Sequence, residues 1–175
     1  MNVMKAIQIE KVTLNIGAGK PGPQLEKGKI LLKALSGMQP AETRTTKRIP
    51  GWSLRPNLVI GCMVSMRGSH AQEVLSKLLE AKDFRLSQKS FDLQGNFAFG
   101  IHEYLDIPTL DYIPEVGMMG LEVAVTLKRK GGARVKNRAW QKKKIPVRHR
   151  VSKKEALEFA KGTMKVIIIE EEEEE

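Results

Sequence analysis

The chain has 175 residues, and its 30 Lys and Arg against 20 Asp and Glu give a formal net charge of +10 at pH 7. The length suits a single domain, and a hydrophobic share of 41% is enough to build a core, which argues against general disorder. The one cysteine, Cys62, excludes an internal disulfide framework, and three scattered histidines do not predict a zinc site. No apolar run has membrane-spanning length and no secretory signal pattern is present, so we expect an intracellular protein with no membrane partner.

The first forty residues predict a strand followed by a helix. Apolar and polar residues alternate over 7–16, which is typical of a strand, and the alternation slips near Glu10 and Lys11. A turn rich in glycine and proline follows. Leucines at helical spacing then predict a helix over 24–36, with Gly37 as its C-terminal cap.

The next segment predicts two strands separated by a loop, and then a helix. Residues 41–49 are polar and β-branched and suit a strand or an extended loop, whereas prolines and glycines mark 48–57 as an exposed loop. The apolar run 58–66 predicts a buried strand. Ser69 is placed to cap a helix over 70–82.

Two further strands and a basic loop are predicted in the second half of the chain. Residues 83–96 are mixed and rich in turn-forming residues, so they predict no regular element. Alternating apolar residues predict strands at 97–101 and 119–128. The segment 128–148 is basic, contains two consecutive glycines and predicts a loop.

The last predicted helix completes the fold class. Ser152 and Glu155 have the spacing of a capping box and predict a helix over 153–162, which a short apolar run follows at 166–169. The order of elements indicates one α+β domain over residues 1–169, with helices on one face of an antiparallel sheet. The other face would remain exposed, and its polar side chains would be available to RNA.

Positive charge is concentrated in two segments that each contain a tryptophan. The run Glu170–Glu175 holds six of the acids, and without it the chain has 30 positive and 14 negative charges, a net +16. Residues 128–150 contain eleven Lys or Arg, Trp140 and no acid, and a second basic cluster surrounds Trp52. Lys and Arg neutralise phosphates and an indole stacks on a base, so this pattern favours a nucleic-acid partner.

No motif for catalysis or for a cofactor is found. The segment Gly17–Lys20 resembles a phosphate loop only superficially, because Pro21 follows Lys20 and the upstream glycine is missing. Cys62 lies in an apolar run and is interpreted as a core residue. We therefore expect neither enzymatic activity nor a cofactor nor a metal site.

Four segments in order resemble a known family. They are VTLNIGAG (12–19), LSGMQP (35–40), TRTTKRIPGWSLRPNLVIGCMVSMRG (43–68) and FDLQGNFAFGIHEY (91–104). Together they are similar to universal family five of the large-subunit ribosomal proteins, the family that binds 5S ribosomal RNA. The short N-terminus and the GGARVKNR segment resemble the archaeal and eukaryotic branch more than the bacterial one.

This resemblance implies a fold with layers like those of an RNA-recognition motif, or ferredoxin-like layers, and a place in the central protuberance beside 5S RNA. The residues it implies as 5S RNA contacts are Lys11, Asn15, Thr43, Arg44, Ser65 and Arg67. Met38 stands where bacterial relatives have a contacting glutamine, and the neighbouring Gln39 is the candidate replacement.

The resemblance also implies partners beyond 5S RNA. The loop 47–57 is expected to reach peptidyl-site transfer RNA through Lys47, Arg48, Trp52 and Arg55. Contacts to other, 23S-type large-subunit RNA are expected from the basic segment, at Lys128, Arg129, Arg134, Lys136, Arg138, Trp140, Lys142, Lys143 and Arg148. The acidic turn 106–115 is expected to face protein thirteen of the small-subunit head. We expect a cytoplasmic protein that is monomeric outside the ribosome.

Two alternatives to a ribosomal role remain open. One is a general RNA-binding module outside the ribosome, which equal affinity for 5S RNA and for random duplex RNA would favour. The other is an RNA-modifying enzyme, which would need a cofactor motif or an acid–base group that the sequence does not show.

Overall fold

In the computed structural model, which describes residues 2–108 and 110–169, a long first strand lies at the centre of a five-stranded antiparallel sheet. The strands are β1 (Ile7–Gly17), β2 (Ala41–Arg44), β3 (Val59–Met66), β4 (Arg85–Ser87), β5 (Phe97–Ile101), β6 (Leu121–Arg129) and β7 (Ile167–Ile169). The helices are α1 (Pro23–Ser36), α2 (Ser69–Glu80), α3 (Gly132–Asn137) and α4 (Lys153–Thr163). The main sheet has the order β2-β3-β1-β6-β5, and β4 and β7 form a separate parallel pair.

The predicted irregularity in the first strand is a real break in the ladder. The pairing of β1 with β6 shifts register between Ile9 and Lys11. Before the shift Ile9 packs against the core, and after it Val12 and Leu14 are fully buried. The extra residue therefore keeps the apolar side chains of an 11-residue strand on one face of the sheet.

Helices cover one face of the sheet, as the sequence predicted for its α+β class. The helix α1 packs on β3 and β1, and α2 packs on β1. Their apolar sides bury Leu31, Leu32 and Leu78 against the alternate residues of the strands. The residues between those, such as Thr13 and Asn15, lie on the opposite face, which we call the open face.

Two of the predicted helix ends are confirmed in detail. Gly37 has the left-handed conformation with φ +63°, and its N–H donates to the Lys33 carbonyl. In the capping box, the Glu155 N–H donates to Ser152 Oγ at 3.4 Å, and the Ser152 N–H donates to Glu155 Oε2 at 3.0 Å. Both ends are set by local sequence, which is why the sequence predicts them.

Other expectations are corrected. Ser69 does not cap α2, because the helix begins at Ser69 itself and Gly68, with φ +75°, occupies the cap position. The strand expected within 41–49 ends at Arg44. The segment 128–148 is not all loop, since it contains α3.

The apolar run predicted at 166–169 forms a short strand. It forms β7, which pairs in parallel with β4 in the segment 83–96 that predicted no regular element. The predicted acidic tail, Glu170–Glu175, lies outside the described residues. Among the residues described, no helix has the length and apolar character to cross a bilayer.

Candidate nucleic-acid interface

Polar side chains form a row across the open face of the three central strands. The Thr13 hydroxyl on β1 and the Ser65 hydroxyl on β3 are hydrogen-bonded at 3.0 Å. Two residues along β1, Asn15 Nδ2 donates to Glu122 Oε2 on β6 at 3.1 Å. Lys11 lies on the same face, opposite Thr126. The row presents hydroxyl, amide and ammonium groups, which suit ribose and phosphate oxygens.

The contact with Glu122 fixes how Asn15 meets a ligand. Because the amide nitrogen of Asn15 donates to the carboxylate, its oxygen is the group oriented away from Glu122. The open face therefore offers an acceptor at Asn15 beside a carboxylate, which repels phosphate but accepts from base amino groups.

At the edge of the sheet, a close approach brings Thr43 onto the open face. Thr43 on β2 pairs with Gly61 on β3. A Cβ added at Gly61 would lie 2.6 Å from the Ile16 carbonyl oxygen and 2.8 Å from Thr43 Oγ1. Glycine is therefore required here for the threonine hydroxyl to lie over the strand.

Arg44 is exposed but has an acidic neighbour. Its guanidinium is 3.5 Å from Glu42, whose other oxygen accepts from Lys29 at 2.7 Å. The hydrogen bond from Lys29 holds the pKa of the Glu42 carboxyl below its usual value, so Glu42 is ionised at neutral pH. A phosphate that binds Arg44 has to compete with this carboxylate.

The loop after β2 is closed at its base by backbone hydrogen bonds. The Thr45 N–H donates to the Leu58 carbonyl at 2.9 Å, and the Asn57 N–H donates to the Thr45 carbonyl at 2.9 Å. The buried Thr45 hydroxyl donates to the Arg55 carbonyl. An antiparallel bridge between Ile49 and Leu54 continues the closure toward the tip.

Trp52 lies at the tip of this loop, at the end of a 3-10 turn over Pro50–Trp52. Its side chain is 70% exposed. The predicted cations Lys47, Arg48 and Arg55 are all exposed on the same loop. An exposed indole among cations is the arrangement that stacks on a nucleotide while the cations meet phosphates.

An ion pair joins the two ends of the basic segment. Arg129, the last residue of β6, contacts both carboxylate oxygens of Glu155 at the start of α4, at 2.6 and 2.7 Å. The N–H of Ser152 and then the Arg129 guanidinium hold the pKa of Glu155 below its usual value. This ion pair closes the chain between β6 and α4 into a loop.

The structure brings five of the nine predicted residues of the basic segment together. They line one cavity and are Lys128, Arg129, Lys136, Lys142 and Lys143. Arg134, Arg138, Trp140 and Arg148 do not line it but are exposed nearby in the chain, and Arg138 Nε donates to the Gln141 carbonyl at 2.7 Å. Three residues that no sequence pattern singled out line the same cavity from other strands and turns, namely Gln94, Asn96 and Thr126.

The remaining predicted contacts are placed apart from the polar row. Arg67 follows β3 and lines a different groove, between the start of β1, α2 and α4. Met38 and Gln39 are both exposed in the turn after α1, where the Met38 N–H donates to Ser36 Oγ at 3.2 Å. The acidic turn is held by the buried Tyr104, whose hydroxyl accepts from the Ile113 N–H at 3.0 Å.

Neither the cysteine nor the possible metal ligands form a site within the described residues. Cys62 is fully buried on β3, and burial raises the pKa of its thiol, so it is a core residue as predicted. Within residues 2–108 and 110–169, no three His, Cys, Asp or Glu side chains form a group that could hold a metal ion.

Two family models match consecutive parts of the chain. The model described as ribosomal protein L5 matches residues 2–55, and the model for the C-terminus of the same ribosomal protein family matches residues 59–165. The polar row spans both parts, since Thr13 and Asn15 belong to the first and Ser65 and Glu122 to the second.

Curated relatives match the chain over nearly its full length. A protein of Nanoarchaeum equitans is 46% identical over 167 residues, which is 95% of this chain and 98% of that protein. Proteins of Sulfolobus acidocaldarius and Sulfurisphaera tokodaii are 43% and 44% identical and cover 97% of this chain, and 94% and 96% of their own lengths. Each of the three is named large ribosomal subunit protein uL5.

Proposed function

Because the chain belongs to the ribosomal protein L5 family, it is a non-enzymatic structural constituent of the large ribosomal subunit, and we propose that it binds 5S ribosomal RNA there. The observation that carries the proposal is the polar row on the open face of the sheet. The archaeal relatives agree with the archaeal and eukaryotic-type branch expected from the sequence.

In the proposed complex, the open face holds a hairpin loop of 5S RNA in the central protuberance. The Thr13–Ser65 hydroxyl pair meets ribose hydroxyls, and Asn15 presents its amide oxygen to a base or a 2′-hydroxyl. Lys11 and Arg44 supply charge at two sides of this face. Thr43 adds a hydroxyl at the edge, and residues 1–169 act as one RNA-binding domain.

The loop 47–57 is proposed to contact peptidyl-site transfer RNA. Its closed base presents Trp52 at a defined place, so the indole can stack on an exposed nucleotide without first ordering the loop. Lys47, Arg48 and Arg55 surround the contact with positive charge.

Two further contacts are proposed, one for the basic segment and one for the acidic turn. The basic segment binds 23S-type large-subunit RNA, and the acidic turn 106–115 meets the small-subunit head protein thirteen. Asp106, Asp111 and Glu115 are exposed on that turn, as a charged contact requires. We propose that the protein is cytoplasmic, and monomeric before it is assembled.

The test of 5S RNA binding is a titration of the full chain with a 5S hairpin-loop fragment. Replacing Asn15→Ala or Arg44→Ala should weaken binding by about 1–3 kcal/mol, the scale of one good contact. Gln24→Ala and Lys33→Ala, which remove an amide and a cation from exposed positions on α1, should leave the affinity unchanged.

Two results would contradict the proposal. Equal affinity of all four variants would show that the open face is not the site. Equal affinity of the unaltered chain for the 5S fragment and for random duplex RNA would favour the general RNA-binding module. The comparison is made at several salt concentrations, because counterion release dominates nonspecific binding.

A further inference from the structure

A cavity of about 580 Å³ opens between the end of β6, α3 and the segment that leads into α4. Its lining divides into two parts by exposure. The rim consists of exposed polar and charged residues, namely Gln94, Lys136, Lys142, Lys143, Lys144 and Arg150. The floor is buried or half-buried and contains Leu127, Val151, Asn96, Thr126 and Ile145.

The floor offers fixed hydrogen-bonding groups. The Leu127 N–H donates to Asn96 Oδ1 at 3.3 Å. This contact sets the orientation of the carboxamide, so the Asn96 NH₂ is the end that remains for a ligand. Gln94, two residues away at the rim, has a side-chain amide without a hydrogen bond to the described residues. The cavity therefore places two amides near an apolar surface.

The cavity is also strongly positive. Its lining includes seven Lys or Arg and one acid, Glu10. Arg129 forms part of the wall, and its side chain is only 9% exposed. Its Nε is buried and has no hydrogen-bond partner among the described residues, although its terminal nitrogen contacts Glu155. An anionic ligand is the class that this charge distribution attracts.

We propose that this cavity holds one unstacked nucleotide of the bound ribosomal RNA, with the phosphate at the lysine rim and the base on the amide-bearing floor. The proposal deepens the proposed function and rests on it for the source of the nucleotide. The volume is within the range of about 300–1,000 Å³ that small-ligand sites occupy. Proteins recognise unstacked bases by stacking them on aromatic or apolar side chains and by hydrogen bonds to the base edges; here Leu127 and Ile145 supply an apolar surface and Asn96 an amide.

The competing occupant is an acidic peptide, such as the chain's own Glu170–Glu175. A run of carboxylates would pair with Lys142 and Lys143 at the rim. A carboxylate could also accept from an amide NH₂, but a run of carboxylates has no flat group to cover the apolar floor, whereas a base covers it. The two occupants therefore predict different affected residues.

The direct test is an NMR titration of the full chain with the four nucleoside monophosphates, inorganic phosphate, ribose 5-phosphate and hexaglutamate. A nucleoside monophosphate should shift the side-chain NH₂ signals of Gln94 and Asn96 and should bind at least about tenfold more tightly than inorganic phosphate. Equal binding of inorganic phosphate, ribose 5-phosphate or hexaglutamate would overturn the proposal, as would shifts confined to other surfaces.

Variants separate the amides from the lysines of the rim. Gln94→Ala should weaken the preferred nucleotide about threefold to tenfold, the effect of one lost hydrogen bond, and leave inorganic phosphate binding unchanged. The pair Lys142→Gln and Lys143→Gln should weaken both ligands. The matched pair Lys154→Gln and Lys161→Gln, on exposed positions of α4, should weaken neither. An equal loss of nucleotide affinity in the two double variants would mean that only the general positive charge attracts the nucleotide. That result would contradict a defined site.

Failure of this inference is distinguishable from failure of the proposed function. If the 5S fragment binds in an Asn15-dependent way while nucleotides leave Gln94 and Asn96 unshifted, the nucleotide site is wrong and 5S binding stands. If nucleotides bind the cavity but the 5S fragment does not bind the chain, 5S binding is wrong and the cavity requires another RNA.

Discussion

The ion pair between Arg129 and Glu155 should stabilise the fold more than an ordinary surface pair. Arg129 is 9% exposed and Glu155 is 41% exposed, so Glu155→Gln leaves a buried guanidinium without its counter-charge. Breaking a buried pair costs about 3–5 kcal/mol and an exposed pair about 0–1 kcal/mol. With one partner buried and the other solvated, we expect a loss of about 2 kcal/mol, between these limits.

Urea denaturation followed by circular dichroism measures this loss, and the melting temperature should fall by about 4–8 °C. Glu158→Gln, on an exposed position of α4, is the control and should change stability by less than about 0.5 kcal/mol. The folded-state pKa of Glu155 is lowered below 4.5, so its stabilisation is complete above that value and is lost as pH falls through the lowered pKa. The free energies of unfolding of the unaltered chain and of Glu155→Gln should therefore converge in acid. Equal free energies of unfolding at neutral pH would refute the reasoning.

Three further predictions concern the sheet. Gly61→Ala should lower the free energy of unfolding by about 1–3 kcal/mol, because the new Cβ would lie 2.6 Å from the Ile16 carbonyl oxygen. Gly100→Ala is the control, because a Cβ there has open space. Similar urea midpoints for the two variants would contradict this prediction. Leu14→Ala, in the fully buried centre of β1, should cost about 2–5 kcal/mol, and Met63→Ala, at a 39% exposed position, should cost far less in the same assay. The buried thiol of Cys62 has a raised pKa, so it should react with a thiol reagent only after unfolding in urea, and rapid labelling of the native chain would show that this strand is accessible.

The sequence predicted those elements whose cause is local. The capping box needs only Ser152 and Glu155 at the right spacing, and the cap at Gly37 needs only a residue that tolerates a positive φ. The break near Glu10 and Lys11 is visible because the apolar alternation itself changes phase there. The α+β class followed from the order of these elements.

Contacts between distant segments were not predictable in the same way. Three isoleucines do not reveal that they pair in parallel with Arg85–Ser87, because no periodicity records the partner of a short strand. Gln94 and Asn96 carry no sequence signal of their own. They line the same cavity as Lys142 because the turn before β5 is held against β6 by the Asn96–Leu127 hydrogen bond.

Residues that form one basic run in the sequence lie in different environments once the chain folds. Lys136, Lys142 and Lys143 share a cavity, whereas Trp140 is 85% exposed and outside its lining. The charge run alone therefore predicted the partner class, and the tertiary structure supplied the cavity on which the nucleotide proposal rests.

The parallel pairing of β4 with β7 has a consequence for how the chain is made. Translation produces Arg85–Ser87 long before Ile167–Ile169, and parallel strands cannot pair until both exist. During synthesis the main sheet can close first, because its last strand, β6, precedes the basic segment. The β4 edge then remains open until α4 and β7 have left the exit tunnel, so the folding of this small pair is a late event in synthesis.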